Sequence, residues 1–365
     1  MSVSEQRAAL TARMIGPEIP RLWCPPLTHY TGGEGARPYG RLDRVRMAAH
    51  WRHMCPYVGG FLVPGSTGDG WEMDENELVE VVDLALDLAV ELGARVLVGV
   101  LRTDTVAMRR VITATIERLQ SQTGESDPLA AMRKRNLAGF TITAPKGQDL
   151  SQADIQVALE SLLAMELPMA LYQLPQVTEN EISPEVFHAL GQRYPNLMLF
   201  KDTSGEDRVG QAMRVPQVQG DAQEEDGKGG VFLMRGAEGG YAQHLREGGG
   251  CYQGLLLSSA NNFADALNGI LSLLCTDRMT EASALSDLVT DIMAASFEAL
   301  ADLPHGTVFA NANKALDHFM ANGSKAQDAP TPMLHTGVRL PRPMVEAVGQ
   351  ILVDAECMPD EGYLA

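Results

Sequence analysis

The chain has 365 residues, 45% of them hydrophobic, and 29 basic against 47 acidic side chains leave a formal net charge of -18. That is ample material for a large core, and a single α/β barrel of about 250 residues with added helices accounts for the length as well as two domains would. So acidic a surface repels phosphate backbones and argues against a nucleic-acid partner, although a small anionic substrate can still enter a locally positive pocket.

The N-terminal stretch MSVSEQRAALTARM lacks the apolar run of a secretion signal. The first short apolar run is IPRLWCP (19–25), and His29 follows it, where it could line a pocket. His50 and His53 lie three apart in HWRH. A metal pair is conceivable, but neither HExxH nor a third ligand is near, and a solvated helix face is the preferred reading. VGGFLVP (58–64) runs into Gly65-Ser66-Thr67-Gly68-Asp69. The stretch 74–93 has helical apolar spacing from Leu78 to Leu88, with Asp74 as N-cap and Gly93 as its end. The apolar region 78–101 carries Glu80, Asp83, Asp87, Glu91 and Arg95, so it is no membrane span.

RVLVGVL (95–101) is the third run. The segment 119–136 is polar, then basic, and reads as a surface-loop insertion centred near 121–136. LAGFTITA (137–144) precedes a loop with Lys146, and Ser151 opens a helix to 165. PMALYQL (168–174) contains Tyr172. Ser183-Pro184-Glu185 starts another helix, with proline at its first position. LMLFKD (197–202) ends in Lys201 and Asp202. The acidic, glycine-rich 217–230 reads as a second surface insertion. VFLMRG (231–236) and YQGLLLS (252–258) complete eight runs. Beyond 262 only helices are expected, the last near 342–354, as a tail packed on the barrel or on a partner subunit.

Short, near-continuously apolar runs separated by amphipathic helices are the mark of buried parallel strands, and eight such units close a barrel. The expectation is a (β/α)8 TIM barrel over 1–261 with a C-terminal helical extension over 262–365. Five cysteines without a CxxC pair suggest reduced thiols and a cytoplasmic setting. The 18 methionines are most simply core filler.

Barrel enzymes place chemistry at the C-terminal ends of their strands. Of the six lysines (134, 146, 201, 228, 314 and 325), only Lys201 directly ends an apolar strand. Burial disfavours an ammonium, and a neutral amine attacks carbonyls. A structural ion pair with Asp202 is the competing reading. Tyr172, at its own strand end, can shuttle protons, or can be a half-buried core tyrosine. The turn Gly65–Asp69 can present backbone N–H groups to a carboxylate, or can be an ordinary strand-to-helix turn. Amine, phenol and carboxylate nest together suit the capture of a 2-keto acid as an imine.

In these motifs the chain resembles the dihydrodipicolinate synthase / N-acetylneuraminate lyase family. GSTGD (65–69) is similar to its G-[ST]-T-G-E turn, with Asp69 for Glu. LYQLP (171–175) is similar to its Y-N-x-P strand end, with Gln173 for Asn. LFKDTSGE (199–206) resembles its lysine motif, and RGAEGG (235–240) its glycine segment after strand seven. The resemblance implies Lys201 as the Schiff-base lysine, Tyr172 as general acid/base, and Ser66 and Thr67, with Gly65, holding the carboxylate. The Thr67 hydroxyl would also relay a proton. It places Thr203, Gly236, Glu238, Ser258 and Val177 along the rest of the substrate. No metal or organic cofactor is implied, and dimers or tetramers are.

Val177 stands where condensing synthases carry an arginine, and Pro145-Lys146-Gly147 where they carry a tyrosine pair. The resemblance therefore favours a lyase for a 2-keto-3-deoxy sugar acid or sialate-like acid, with pyruvate as one product. A dehydratase or condensing synthase of the same class, and a barrel that binds a keto acid without turning it over, remain open.

Overall fold

The computed structural model describes residues 1–32, 41–214 and 229–365. The expected insertion at 217–230 lies outside the described residues except for its last two. All eight expected strands form: β1 Leu22–Cys24, β2 Gly60–Val63, β3 Arg95–Gly99, β4 Leu137–Thr143, β5 Met169–Gln173, β6 Leu197–Asp202, β7 Phe232–Arg235 and β8 Gly254–Leu256. They close a parallel barrel in the order β1-β8-β7-β6-β5-β4-β3-β2. Tyr30–Thr31 and Arg41–Leu42 form a small antiparallel ribbon that no sequence signal announced.

The strands are buried along almost their whole length, which is why they read as unbroken apolar runs. The helices begin where the capping chemistry put them. Asp74 and Glu77 form a capping box at Glu75–Leu92, and Gly93 ends that helix at φ 72°. Ser151 caps Gln152–Leu163, and Ser183 caps Pro184–Arg193.

The insertion expected as a loop over 119–136 is instead mostly helical. Helix Thr105–Thr123 runs into it, and Asp127 caps a further helix, Pro128–Lys134, that buries Ala131 and Met132. Seven residues are too few for a hydrophobic period to show. Among the described residues, no helix is long and apolar enough to cross a membrane.

The described residues fall into two compact units. The first comprises Met1–Arg21, Arg95–Ala237 and His244–Leu256. Its N-terminal helix, Val3–Met14, buries Arg7, whose guanidinium donates to the carbonyls of Leu197 (2.6 Å), Tyr194 (3.2 Å), Gly229 (2.7 Å) and Gly191. That one side chain satisfies several carbonyls that burial would otherwise strand.

The second unit comprises Leu22–Ala94, Glu238–Gln243 and Leu257–Ala365. Trp23 and Gly60 lie in register on β1 and β2. A Cβ on Gly60 would come within 2.3 Å of the indole, so only glycine fits there. The C-terminal extension carries helices Ala260–Cys275, Met279–Ala299, Val308–Asn322 and Arg342–Asp354, as expected. Val308–Asn322 is unusual in burying Asn311, Asn313, Lys314, Asp317 and His318 alongside its apolar residues.

Candidate active site

In the first unit, parallel pairing puts Thr143 beside Tyr172, and Tyr172 beside Lys201. Residues in register share a face, so the three lie in one layer at adjacent strand ends. Lys201 is 4% exposed, with Nζ 4.3 Å from the centroid of the Tyr172 ring. Among the described residues its amine has no carboxylate or hydrogen-bond partner.

The competing ion pair with Asp202 does not form. Strand alternation sends Asp202 the other way, where it accepts from Ser204 N (2.9 Å), Ser204 Oγ (2.7 Å) and Tyr252 OH (3.1 Å). Burial raises the Asp202 pKa, against the pull of those bonds. Lys146, the other lysine near a strand end, is 47% exposed and pairs with Glu179 at 3.0 Å. It forms a surface ion pair.

Gly236 N donates to Asp202 O at 2.6 Å. A Cβ there would lie 2.5 Å from Thr203 Cγ2 and 2.7 Å from Lys201 Cε. The missing side chain is the space that the lysine stem occupies. Gly236→Ala is therefore expected to fold but to displace the amine, lowering kcat by about 10²-fold. Steady-state kinetics beside a thermal melt would check this.

Thr203 is brought close to Lys201, but its hydroxyl donates to Gln173 O at 2.5 Å. Gln173 accepts from Ile182 N at 2.8 Å, and its buried Nε2 has no partner among the described residues. Val177 is half-buried in the short helix Pro175–Thr178. Thr143 was missed by the sequence reading. Its buried hydroxyl has no hydrogen-bond partner among the described residues and sits one strand from Tyr172. The only signal was two threonines at alternate positions of an otherwise apolar strand.

In the second unit, the turn after β2 closes through Gly68 N and Gly70 N to Gly65 O (3.1 and 3.0 Å). A Cβ on Gly65 would lie 2.4 Å from Pro25 Cβ. Trp71 Nε1 donates to Ser66 Oγ at 2.9 Å, and Thr28 Oγ1 donates to Gly68 O at 2.7 Å. Thr67 is 4% exposed, and among the described residues neither its amide nor its hydroxyl makes a hydrogen bond. Buried donors are normally paired, so a turn that leaves them open is equipped for an anion. Glu238 and Ser258 are brought together: Glu238 accepts from Ser258 Oγ (2.6 Å), Ser259 N (3.0 Å) and Tyr241 OH (2.9 Å).

The solvated-face reading of His50 and His53 is corrected for His50. His53 is exposed, stacking on Tyr363 with ring centroids 4.6 Å apart, but His50 is fully buried. Met47, Trp51 and Met54 make its side of the helix the packed one. His29 Nε2 lies 3.1 Å from His50 Nδ1, and His50 Nε2 lies 2.9 Å from Asn261 O.

Asp317 supplies the third group that the local sequence lacked, 3.8 Å from His29 and 3.5 Å from His50. The three donors lie within 4.8 Å of one another, as metal ligands could. Both His50 nitrogens are already engaged, however. Asp317 also accepts from the Arg46 guanidinium at 2.6 Å and from Tyr363 OH at 2.7 Å. The cluster is a hydrogen-bonded network whose charge Arg46 already balances. Burial lowers the pKa of both imidazoles. Burial works to raise that of Asp317, but the charges of His50, Arg46 and His29 hold it well below the carboxylate range.

The family model described as the Dihydrodipicolinate synthetase family matches residues 122–302, which bears out the resemblance read from the motifs. No curated protein matches the chain. Among solved structures, dihydrodipicolinate synthase from Thermotoga maritima is 12% identical and matches 92% of this chain and 98% of its own, with a TM-score of 0.66. A variant of the Sulfolobus solfataricus 2-keto-3-deoxygluconate aldolase, in complex with L-2-keto, 3-deoxy-galactonate, is 14% identical, with 92% and 96% covered and a TM-score of 0.66. A prophage protein of the dihydrodipicolinic acid synthase family from E. coli K12, in complex with pyruvate, is 16% identical, with 92% and 98% covered and a TM-score of 0.67. At such identities these likenesses speak for the fold.

Proposed function

We propose, from the match of residues 122–302 to the dihydrodipicolinate synthetase family, that this chain is a class I aldolase-type lyase using Lys201 as its Schiff-base residue. The observation that carries the reading is the Lys201 amine, buried at 4% exposure, lying over the Tyr172 ring and lacking any ion-pair partner among the described residues. Such an amine is available to a carbonyl.

Lys201 Nζ attacks the keto carbon, and water leaves as the iminium forms, with Tyr172 moving the protons. The iminium then accepts the electron pair of the bond between the third and fourth carbons. That bond breaks as the fourth-carbon hydroxyl gives its proton to Tyr172, an aldehyde departs, and the enamine of pyruvate remains. Protonation at the third carbon and hydrolysis return the amine. Thr67, with Ser66 and Gly65, holds the carboxylate and relays a proton. Thr203, Gly236, Glu238, Ser258 and Val177 face the rest of the substrate. The iminium is itself the electron sink, so the reaction as written uses no metal or organic cofactor.

A 2-keto-3-deoxy sugar acid or a sialate-like acid is the proposed substrate class. Support comes from Val177 and Pro145-Lys146-Gly147, which lack the groups a condensing synthase uses. A dimer or tetramer belongs to the same reading through the family likeness. A dehydratase is the runner-up. From the same iminium it removes a proton at the third carbon and expels the fourth-carbon hydroxyl as water.

Incubation with a panel of 2-keto-3-deoxy acids, read by NMR, separates the two. Release of pyruvate and an aldehyde is the expected result. Loss of water without pyruvate would replace the lyase by the dehydratase. Saturable keto-acid binding without any product would leave a binding barrel.

A further inference from the structure

Helix Val308–Asn322 sends its buried polar side chains to separate segments of its own unit. Asn313 Nδ2 donates to Ser258 Oγ (3.1 Å), Asp317 accepts from Arg46, and Lys314 Nζ donates to Asp69 Oδ2 at 2.5 Å. The Lys314 side chain is 1% exposed and that of Asp69 5%. The same Nζ lies 4.9 Å from the centroid of the Tyr30 ring.

Asp69 closes the hydroxyl-bearing turn, and it does so at φ 61°, in the left-handed region that a residue with a Cβ holds only when its surroundings impose it. Its amide donates to Ser66 O at 3.3 Å, so the Asp69 backbone and the turn move together. Thr67, two residues earlier, makes no hydrogen bond of its own among the described residues and takes its place from how its neighbours are fastened. Charge points the same way. An unneutralised Asp69 so near Thr67 would repel an incoming carboxylate, and the buried ammonium cancels it.

We propose that Lys314 is the positioning residue for the Gly65–Asp69 turn: from the C-terminal extension it fixes and neutralises Asp69, and thereby sets the Thr67 amide and hydroxyl to receive the carboxylate of the 2-keto acid. This rests on the reading that the turn binds that carboxylate. Lys314 acts through Asp69 and does not touch substrate.

The test compares imine trapping by borohydride with pyruvate and with methyl pyruvate, which lacks the free carboxylate. Lys314→Met alone leaves a buried carboxylate unpaired and can fail to fold. The decisive variant therefore combines Lys314→Met with Asp69→Asn, which removes both charges and keeps similar volumes. The expected result is a preference for pyruvate over methyl pyruvate that falls about tenfold or more in the double variant. A preference unchanged from the unaltered protein, including one in which both trapping rates fall together, would show a merely structural pair and overturn the proposal. Failure of the unaltered protein to trap pyruvate at all would sink the imine reading and this inference with it.

Discussion

Lys201→Met is expected to melt at a higher temperature than the unaltered chain while losing turnover. The amine is buried among the ends of β5, β6 and β7, and among the described residues its one close interaction is with the face of Tyr172. Cation–π attraction offsets only part of what it costs to bury an unpaired amine. Methionine has nearly the same length and no group to desolvate. The gain should be about 1 kcal/mol, a rise of roughly 1 °C in a chain of this size. The loss in kcat/KM should be about 10⁴-fold or more, because without the amine no covalent intermediate forms. Calorimetry and turnover on the same preparation decide it. A variant destabilised by more than about 1 kcal/mol would mean that the amine has a stabilising partner after all.

Acid should weaken the fold from about pH 6.5 downward, well above the range of the carboxylates. His29 and His50 are held below their ordinary value first by burial, with Arg46 adding in the same direction and Asp317 opposing. The unfolded chain therefore binds protons at these positions as the pH drops below about 6.5, and the folded chain does not. Each imidazole then costs up to about 1.4 kcal/mol per pH unit. His53 and His318 are lowered as well, again by burial first.

Asp317 acts in a different window. Its folded pKa is depressed, so its contribution is complete above about pH 4 and is lost only as pH falls further. Denaturant titrations at pH 6.5 and 5.5 should differ by about 2 kcal/mol from His29 and His50 together, about 1 kcal/mol from each, because the unfolded imidazole is already half protonated at the upper pH. His29→Gln should remove roughly half of that difference. A flat profile between the two pH values would show that the imidazoles are charged in the folded protein.

The barrel was legible because strands buried on both faces cannot be polar, so each appears as an apolar run. Lys201 and Tyr172 were legible by position, since a strand end inside a barrel is a costly place for either group. What escaped has a common cause: its meaning depends on a residue far away in the chain. Lys314 and Asp317 look like ordinary polar positions on a helix until Asp69, Arg46 and His50 are brought to them. His50 read as solvated because a short helix with apolar and basic residues interleaved does not declare its buried face. Arg7 drew no notice in the sequence, and its role is to serve the distant carbonyls of Leu197 and Gly229. Thr143 gave almost no signal, because a threonine suits a buried strand whether or not its hydroxyl is used.

Whether Lys201 bonds covalently to a keto acid is decided by borohydride reduction in the presence of pyruvate, read by intact-protein and peptide mass spectrometry. The expected product is one reduced pyruvyl group on the peptide that carries Lys201, absent from Lys201→Met. No adduct on the unaltered protein, or one that maps to Lys146 or Lys314, would contradict it.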